Sequence, residues 1–332
     1  MENLLIISND KVFFSKKKVS TKHNDTINIL EAAQARFNIF LLSRSSKNND
    51  NFSLKKKRIF KLDLKKFSFL RKEKFKVLMI SITLRNIFFY LLLCLLIKDL
   101  KGFVYLRSDG YKEYEVRLGK LGILLFSIMM QSIKGKFKII SVNKNIKSPK
   151  TDYIVYPSEL DKSWLKKKKI TKNNFPKLLY FGRFKKDKGV FSLIEIFKEL
   201  KYEFRLTIAG DKNHPSSSLE NIKFLKEFSN KKKIINLYDN HDIFILPSYT
   251  EGSPKVILES LARKKPIIIF KEIKHVKKNF KGIFISKRDP NHLKKTIIHI
   301  INNYSKIQND IARNTLITKK CFQKKLVNIL ND

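Results

Sequence analysis

Apolar residues along the chain fall into two kinds of run, and the two kinds alternate. Short runs rich in Leu, Ile, Val and Phe occur at 4–8 (LLIIS), 38–43 (NIFLLS), 76–81 (KVLMIS), 103–107 (FVYLR), 138–142 (KIISV) and 152–157 (DYIVYP). Their length and composition predict buried strands. Between several of them lie longer stretches of helical character at 29–37 (ILEAAQARF), 87–97 (IFFYLLLCLLI) and 116–130 (VRLGKLGILLFSIMM). Strand alternating with helix predicts an α/β domain on a mostly parallel sheet.

A lysine-rich stretch at Lys166–Lys172, followed by Asn173, Asn174 and Pro176, reads as an exposed linker. The alternation then restarts, with strands expected at 177–182, 204–210, 242–247 and 266–270 and helices at 190–200 and 254–263. The predicted organisation is two α/β domains in series, 1–172 and 173–317. A C-terminal helix at 318–332 is a candidate for crossing back to the first domain. At 332 residues, either half is large enough to bury a core of its own. The apolar run at 87–97 falls short of the roughly 20 residues that span a bilayer, so a buried or interfacial helix is expected there.

Charge adds one constraint. Lys plus Arg number 71 against 29 Asp plus Glu, a formal net charge of +42, which predicts attraction to nucleic acid, anionic lipid or a phosphorylated substrate. Lys, Asn, Ile and Phe are abundant together, which drift toward an AT-rich coding composition also produces, so both origins of the charge stand. Two cysteines, Cys94 and Cys321, offer neither a disulfide framework nor metal-ligand spacing, in keeping with a reducing compartment. No basic segment precedes the apolar run Leu4–Ile7, so no signal peptide is expected and the reading is cytoplasmic.

Two segments carry candidate chemistry. GRFKKDKG at 182–189 stands where a strand gives way to a helix. Arg183 and Lys188 there could clamp a diphosphate, since carboxyl ends of parallel strands beside helix N-termini are where α/β folds bind phosphates, but Lys and Arg abound throughout the chain and ordinary surface cations are the alternative. No GxxxxGK[ST] or GxGxxG occurs. PSYTEGSPKVILESLA at 247–262 runs from the end of a strand into a helix, with Pro254 expected at the first helical position. Eight residues separate Glu251 from Glu259, about 12 Å along a helix. That is the scale of a nucleotide-sugar, with backbone N–H groups at Gly252 and Ser253 between the two carboxylates. Each glutamate has a second reading, Glu251 as negative charge at a helix N-terminus and Glu259 as a surface pair with Arg263 one turn on.

In this order, the two segments resemble the signature of glycosyltransferase family 4. That family carries Arg-x4-Lys after the first strand of its C-terminal domain and Glu-x7-Glu just after "PS". Arg183 and Lys188 match the first, Glu251 and Glu259 the second, and IAGD at 208–211 and DIFILPS at 242–248 also have equivalents; the resemblance covers about residues 176–300. It implies a GT-B fold, two Rossmann-like domains facing each other across a cleft. It also implies a retaining hexosyltransferase using a nucleotide-sugar donor. Arg183 and Lys188 would neutralise the donor diphosphate, Glu251 would contact the transferred sugar, and Glu259 would bind the ribose. The chain has no DxD motif, which agrees with a metal-independent site needing no cofactor. The implied setting is surface glycan synthesis (lipopolysaccharide, O-antigen or capsule), with an acceptor glycan or lipid-linked glycan as partner.

The sequence departs from the family in two places. KEIKHVKKNFKG stands where many members have a Gly-rich loop, and His23, the sole His before residue 214, lies in a lysine-rich loop unlike the position of the family's N-terminal-domain His. RSDG at 107–110 falls near that expected position, making Asp109 a candidate contact at the reacting centre, while Asp-Gly is also a common turn pair. Glu159 and Asp161, in YPSELDKSW at the end of the first domain, are read mainly as interdomain packing residues, with contact to a ligand as the alternative. The basic-aromatic segment 55–76 fits either an anionic membrane surface on the inner face of the cytoplasmic membrane or a solvated loop. Alternatives are a nucleotide-sugar epimerase or phosphorylase on the same fold, or a basic nucleic-acid-binding protein. No specific nucleic-acid motif supports the last.

Overall fold

Every strand-like run above pairs into one of two sheets in a computed structural model of the chain. It describes residues 1–49, 52–62, 73–97, 100–144, 146, 148, 150–166, 175–200, 203–210, 220–226, 230–277 and 280–332. The chain divides into Met1–Pro157 with Lys319–Asp332, and Ser158–Thr318. The break therefore comes earlier than the lysine-rich stretch, most of which (167–174) lies outside the described residues. Packing explains the difference. Leu160 and Trp164 are buried in the second core, the Trp164 ring meets Tyr238 edge-on at 5.6 Å, and Arg263 donates to the carbonyls of Trp164 and Lys166 at 2.8 Å each.

The first unit contains β1 (Glu2–Phe14), β2 (Lys18–Thr21), α1 (Asn24–Ala33), β3 (Phe37–Ser45), β4 (Phe52–Lys55), β5 (Ile59–Lys61), β6 (Phe75–Ile80), α2 (Leu84–Leu96), β7 (Gly102–Leu106), α3 (Gly110–Ile133), β8 (Phe137–Ser141) and β9 (Tyr153–Ile154). Its parallel strands run in the order β5-β3-β1-β6-β7-β8-β9. The long β1 continues past its parallel neighbours into a hairpin with β2, which pairs antiparallel with β4. This extension carried no apolar run to announce it. Helix α1 begins and ends earlier than its pattern predicts, because polar Thr26 and Asn28 take part in its buried face and Phe37 already belongs to the buried start of β3.

The second unit contains β10 (Lys177–Phe181), α4 (Val190–Glu199), β11 (Arg205–Ala209), β12 (Ile222–Leu225), α5 (Lys231–Asp239), β13 (Ile243–Leu246), α6 (Lys255–Ala262), β14 (Ile267–Phe270), β15 (Ile283–Ser286), α7 (Pro290–Asn302) and α8 (Tyr304–Ala312). All its strands are parallel, in the order β12-β11-β10-β13-β14-β15. Strand order reverses between β10 and β13, and doubly wound sheets bind ligands outside the carboxyl ends at such a reversal. The last helix, α9 (Lys319–Asn331), packs in the first unit through Phe322, Leu326, Ile329 and Leu330. Lys76 Nζ donates to the carbonyls of Leu330 (3.0 Å) and Asn331 (2.7 Å), neutralising the helix end.

Candidate active site

Strands β10 and β13 are hydrogen-bonded neighbours, so the segments leaving them, 182–189 and 247–254, emerge side by side at the reversal point. Gly189 locks the two together. Its φ is +64°, and a Cβ built there would lie 1.9 Å from the Pro247 carbonyl oxygen. Glycine is required both by the left-handed backbone and by the close approach. The Tyr249 N–H donates to the Asp187 carbonyl at 2.9 Å, a second tie between the segments.

This pairing brings Lys188 onto Glu251, with Nζ 2.8 Å from Oε1 and both side chains largely buried. Ser248 Oγ donates to the same carboxylate oxygen at 2.7 Å. Arg183 is exposed in the segment that leaves β10. His275 Nε2 is 2.8 Å from the Glu251 carbonyl oxygen, so the KEIKHVKKNFKG segment also touches the site. Sequence reasoning missed His275, whose spacing matches no motif. Gly252 and Ser253 precede α6, whose N-terminus no side chain caps. Pro254 sits at the N-cap with extended backbone (φ −70°, ψ 118°), one position earlier than predicted.

Glu259 lies inside α6 and is partly buried. It makes no pair with Arg263. That guanidinium is buried against Asp239, donating to its two carboxylate oxygens at 2.8 and 3.0 Å. Glu259 Oε2 instead accepts from the Tyr238 hydroxyl at 3.0 Å. Burial pushes the Glu259 carboxyl up to about 7. The Tyr238 hydrogen bond and the Lys255 charge oppose that shift, and the Glu159 charge reinforces it. Lys255 itself is bonded to Glu159 at 2.5 Å. Asp161 pairs with Lys231, and although burial alone would raise its carboxyl, hydrogen bonds from Lys231 and Ser163 hold it at about 2. Both acids thus pair with lysines of their own unit, where the sequence led us to expect packing between domains.

One organising residue had no signal in the sequence. The Arg288 guanidinium donates to Ser192 Oγ (2.8 Å), Glu272 Oε1 (2.6 Å) and the Pro247 and Ser248 carbonyls, and it lies 3.9 Å over the Tyr249 ring. It holds the β13 exit against α4 and the segment after β14.

In the first unit, Asp109 caps α3, its carboxylate accepting from the Lys112 N–H at 3.3 Å, the turn role that Asp-Gly admits. Its neighbour Arg107 donates to Asp10 Oδ2 (2.7 Å) and Thr26 Oγ1 (2.9 Å). Burial alone would raise the Asp10 carboxyl, but the Arg107 charge and the bonds from Arg107 and Thr26 hold it below the usual range. His23, set aside by its sequence context, is 3.7 Å from this carboxylate. The cluster gathers Asp10 from within β1, Arg107 from the end of β7 and Thr26 from the start of α1, residues no linear motif connects.

Comparison with known proteins fits this geometry. Residues 161–316 match the family described as glycosyl transferases group 1. That match takes in nearly the whole of the second unit, Ser158–Thr318. A capsular polysaccharide biosynthesis glycosyltransferase of Staphylococcus aureus is 28% identical over 165 residues, 44% of this chain and 42% of that protein. The N,N'-diacetylbacillosaminyl-diphospho-undecaprenol alpha-1,3-N-acetylgalactosaminyltransferase of Campylobacter jejuni is 33% identical over 135 residues, 40% of this chain and 35% of that protein. The chain spans about half or less of the length of the curated relatives it matches. The structure of Anabaena HepE in complex with UDP-glucose is 13% identical, with a TM-score of 0.67 over 99% of this chain and 100% of that one. Likeness over the full length gives the chain the GT-B fold. Within the matched region, the reversal point brings Lys188 onto Glu251, with Arg183 exposed on the segment that carries Lys188.

Proposed function

We propose that the protein is a retaining glycosyltransferase that moves a hexose from a nucleotide-sugar to an acceptor glycan or lipid-linked glycan in surface polysaccharide synthesis. The observation that carries the reading is the Lys188–Glu251 contact of 2.8 Å at the strand-order reversal, with Arg183 exposed earlier on the same segment. It sets a cation suited to a diphosphate against a carboxylate suited to the adjoining sugar. The capsule and diphospho-undecaprenol relatives support the acceptor class, and the UDP-glucose complex makes uridine diphosphate sugars the first donors to test.

In the reaction, the bond from the anomeric carbon to the diphosphate breaks and its electron pair leaves with the diphosphate. The acceptor oxygen forms the new bond on the same face, and its hydroxyl proton passes to the leaving diphosphate oxygen. Charge grows on the leaving group, so Lys188, Arg183 and the N-terminal end of α6 stabilise the transition state, preorganised for that task. In the free protein, Lys188 neutralises Glu251. An arriving diphosphate competes for that ammonium, while Ser248 continues to hold the carboxylate. Glu259 accepts the ribose hydroxyls. Side-chain cations fill the role a metal plays elsewhere.

Thermal unfolding with a panel of nucleotide-sugars tests the reading, because a ligand at 100 times its Kd adds about 2.7 kcal/mol. A melting temperature unmoved by every uridine, guanosine and adenosine diphosphate sugar would overturn it. Proton NMR of the product then reads retention, an α-linked donor giving an α-linked product.

A further inference from the structure

The outward faces of α2 and α3 are apolar. On α2, Leu84, Phe88, Leu91 and Leu95 are exposed at spacings of four, three and four, one continuous stripe, with Leu95 80% exposed. On α3, Leu121, Leu124 and Ile128 form a second stripe, and Val116 and Leu118 stand on the turn before it. Val116 is 87% exposed and Leu121 74%. Gly119, at φ 61° and ψ −144°, breaks α3 between Leu118 and Leu121 and presents residues 115–121 as a solvated elbow. The Tyr90 hydroxyl donates to the Ser132 carbonyl at 3.4 Å, so the two helices lie side by side.

The helix Gly110–Ile133 is long and apolar enough to cross a membrane, with a mean hydropathy of 1.4 in its best window. It is nevertheless tied to the protein. Phe126, Met129, Met130 and Ile133 on its other face are part of the first unit's core, as Tyr90 and Leu93 are on α2. Such a helix lies in the interface plane, with one face on the protein and the other on lipid.

We propose that the α2 and α3 stripes, with the elbow 115–121, dock this unit on an anionic bilayer surface. Charge selects that occupant. Between Gly110 and Lys136 stand five cations (Lys112, Arg117, Lys120, Lys134 and Lys136) against two carboxylates, Glu113 and Glu115, in a chain of net charge +42. A second copy of so basic a chain repels the first, whereas anionic head groups attract it. Nucleic acid would use the cations but leave the stripes idle, since its contacts are to phosphates. None of these stripe residues belongs to the basic-aromatic segment 55–76, whose residues 63–72, including Phe67 and Phe69, lie outside the described residues. Docking stands apart from the transferase reading, because lipid binding needs neither donor nor acceptor.

The test is co-sedimentation of the full chain with vesicles of phosphatidylglycerol and phosphatidylcholine, beside vesicles of phosphatidylcholine alone. The wild type should bind the anionic vesicles preferentially. Leu118→Ser, Leu121→Ser and Leu124→Ser together leave the net charge untouched and should weaken binding at least about tenfold, given the apolar area each side chain loses to water. Unchanged binding by the triple variant would overturn the proposal. So would a lipid-free dimer in analytical ultracentrifugation that the same substitutions dissolve. A second variant covers loss of folding in the first. In Leu121→Trp the new indole should be quenched by lipids brominated along their acyl chains, and no quenching would show that the elbow stays out of the bilayer.

Discussion

Replacing Glu259 with Gln should stabilise the free protein while weakening its grip on nucleotide. The carboxyl is pushed from 4.5 to about 7 in the folded protein, with burial as the main cause. A rise of that size corresponds to roughly 3 kcal/mol between the two protonation states, and the partial exposure of the side chain trims this to about 2–3 kcal/mol. The folded state holds the proton more tightly than the unfolded chain. The contribution is therefore fully present below pH 4.5 and is lost as pH rises through about 7, above which the folded protein carries a poorly solvated charge. In the Glu259→Gln variant nothing titrates there, and the amide oxygen still accepts from Tyr238. Lys255, already bonded to Glu159, offers the wild-type carboxylate limited relief. Urea unfolding followed by circular dichroism across pH 4–8 measures the effect, with the difference between variant and wild type isolating this group from the rest. That difference should be near zero at the acid end, open between the two pKa values, and level off near 2–3 kcal/mol above pH 7. A difference that does not change with pH, or wild type becoming the more stable protein as pH rises, would refute the reasoning. The same variant should bind UDP more weakly, because a neutral amide accepts less strongly from ribose hydroxyls than a carboxylate. A stabilised but weakened protein is the usual mark of a functional group held in an unfavourable place.

Lys188→Ala and Arg183→Ala should each lower kcat/KM by about 10²-fold or more, the scale of a lost charge-stabilising donor, and wild-type turnover by both would remove them from the mechanism. Glu251→Ala should mainly depress kcat and Glu259→Ala mainly raise KM, because charge develops at the sugar and not at the ribose; steady-state kinetics separate the two. Activity should persist in excess EDTA, and a loss restored by Mg²⁺ would contradict transfer supported by side-chain cations. Gly189→Ala should cost about 1–2 kcal/mol from the left-handed backbone alone and displace the Pro247 carbonyl as well. An unshifted melting temperature together with unchanged UDP affinity would show that the loop accommodates it freely.

Much of this protein was legible in one dimension. The strands β1, β3, β6, β7, β8, β10, β11, β13 and β14 each announce themselves as an apolar run, because a strand buried on both faces needs no polar alternation. The two motif segments also fall where a strand ends and a helix begins, which any parallel α/β sheet turns into a ligand-binding edge. What the sequence left open are the features made by neighbours distant along the chain. The antiparallel extension β2–β4 is short and polar, and it exists because β1 outruns its parallel partners. Arg263 is one helical turn from Glu259, and propensity alone pairs them. The tertiary structure instead buries Arg263 against Asp239 and gives Glu259 to Tyr238. Arg288 and His275 join the site through loops that strand order, not sequence spacing, brings to the β13 exit. The same holds for the contact of Lys188 with Glu251. Sequence could name both residues, but only the pairing of β10 with β13, with Gly189 seated under the Pro247 carbonyl, places a cation 63 positions away at hydrogen-bonding distance from its carboxylate. Burial and partner identity depend on packing among elements far apart in the chain, and those were the properties that only the folded molecule decided.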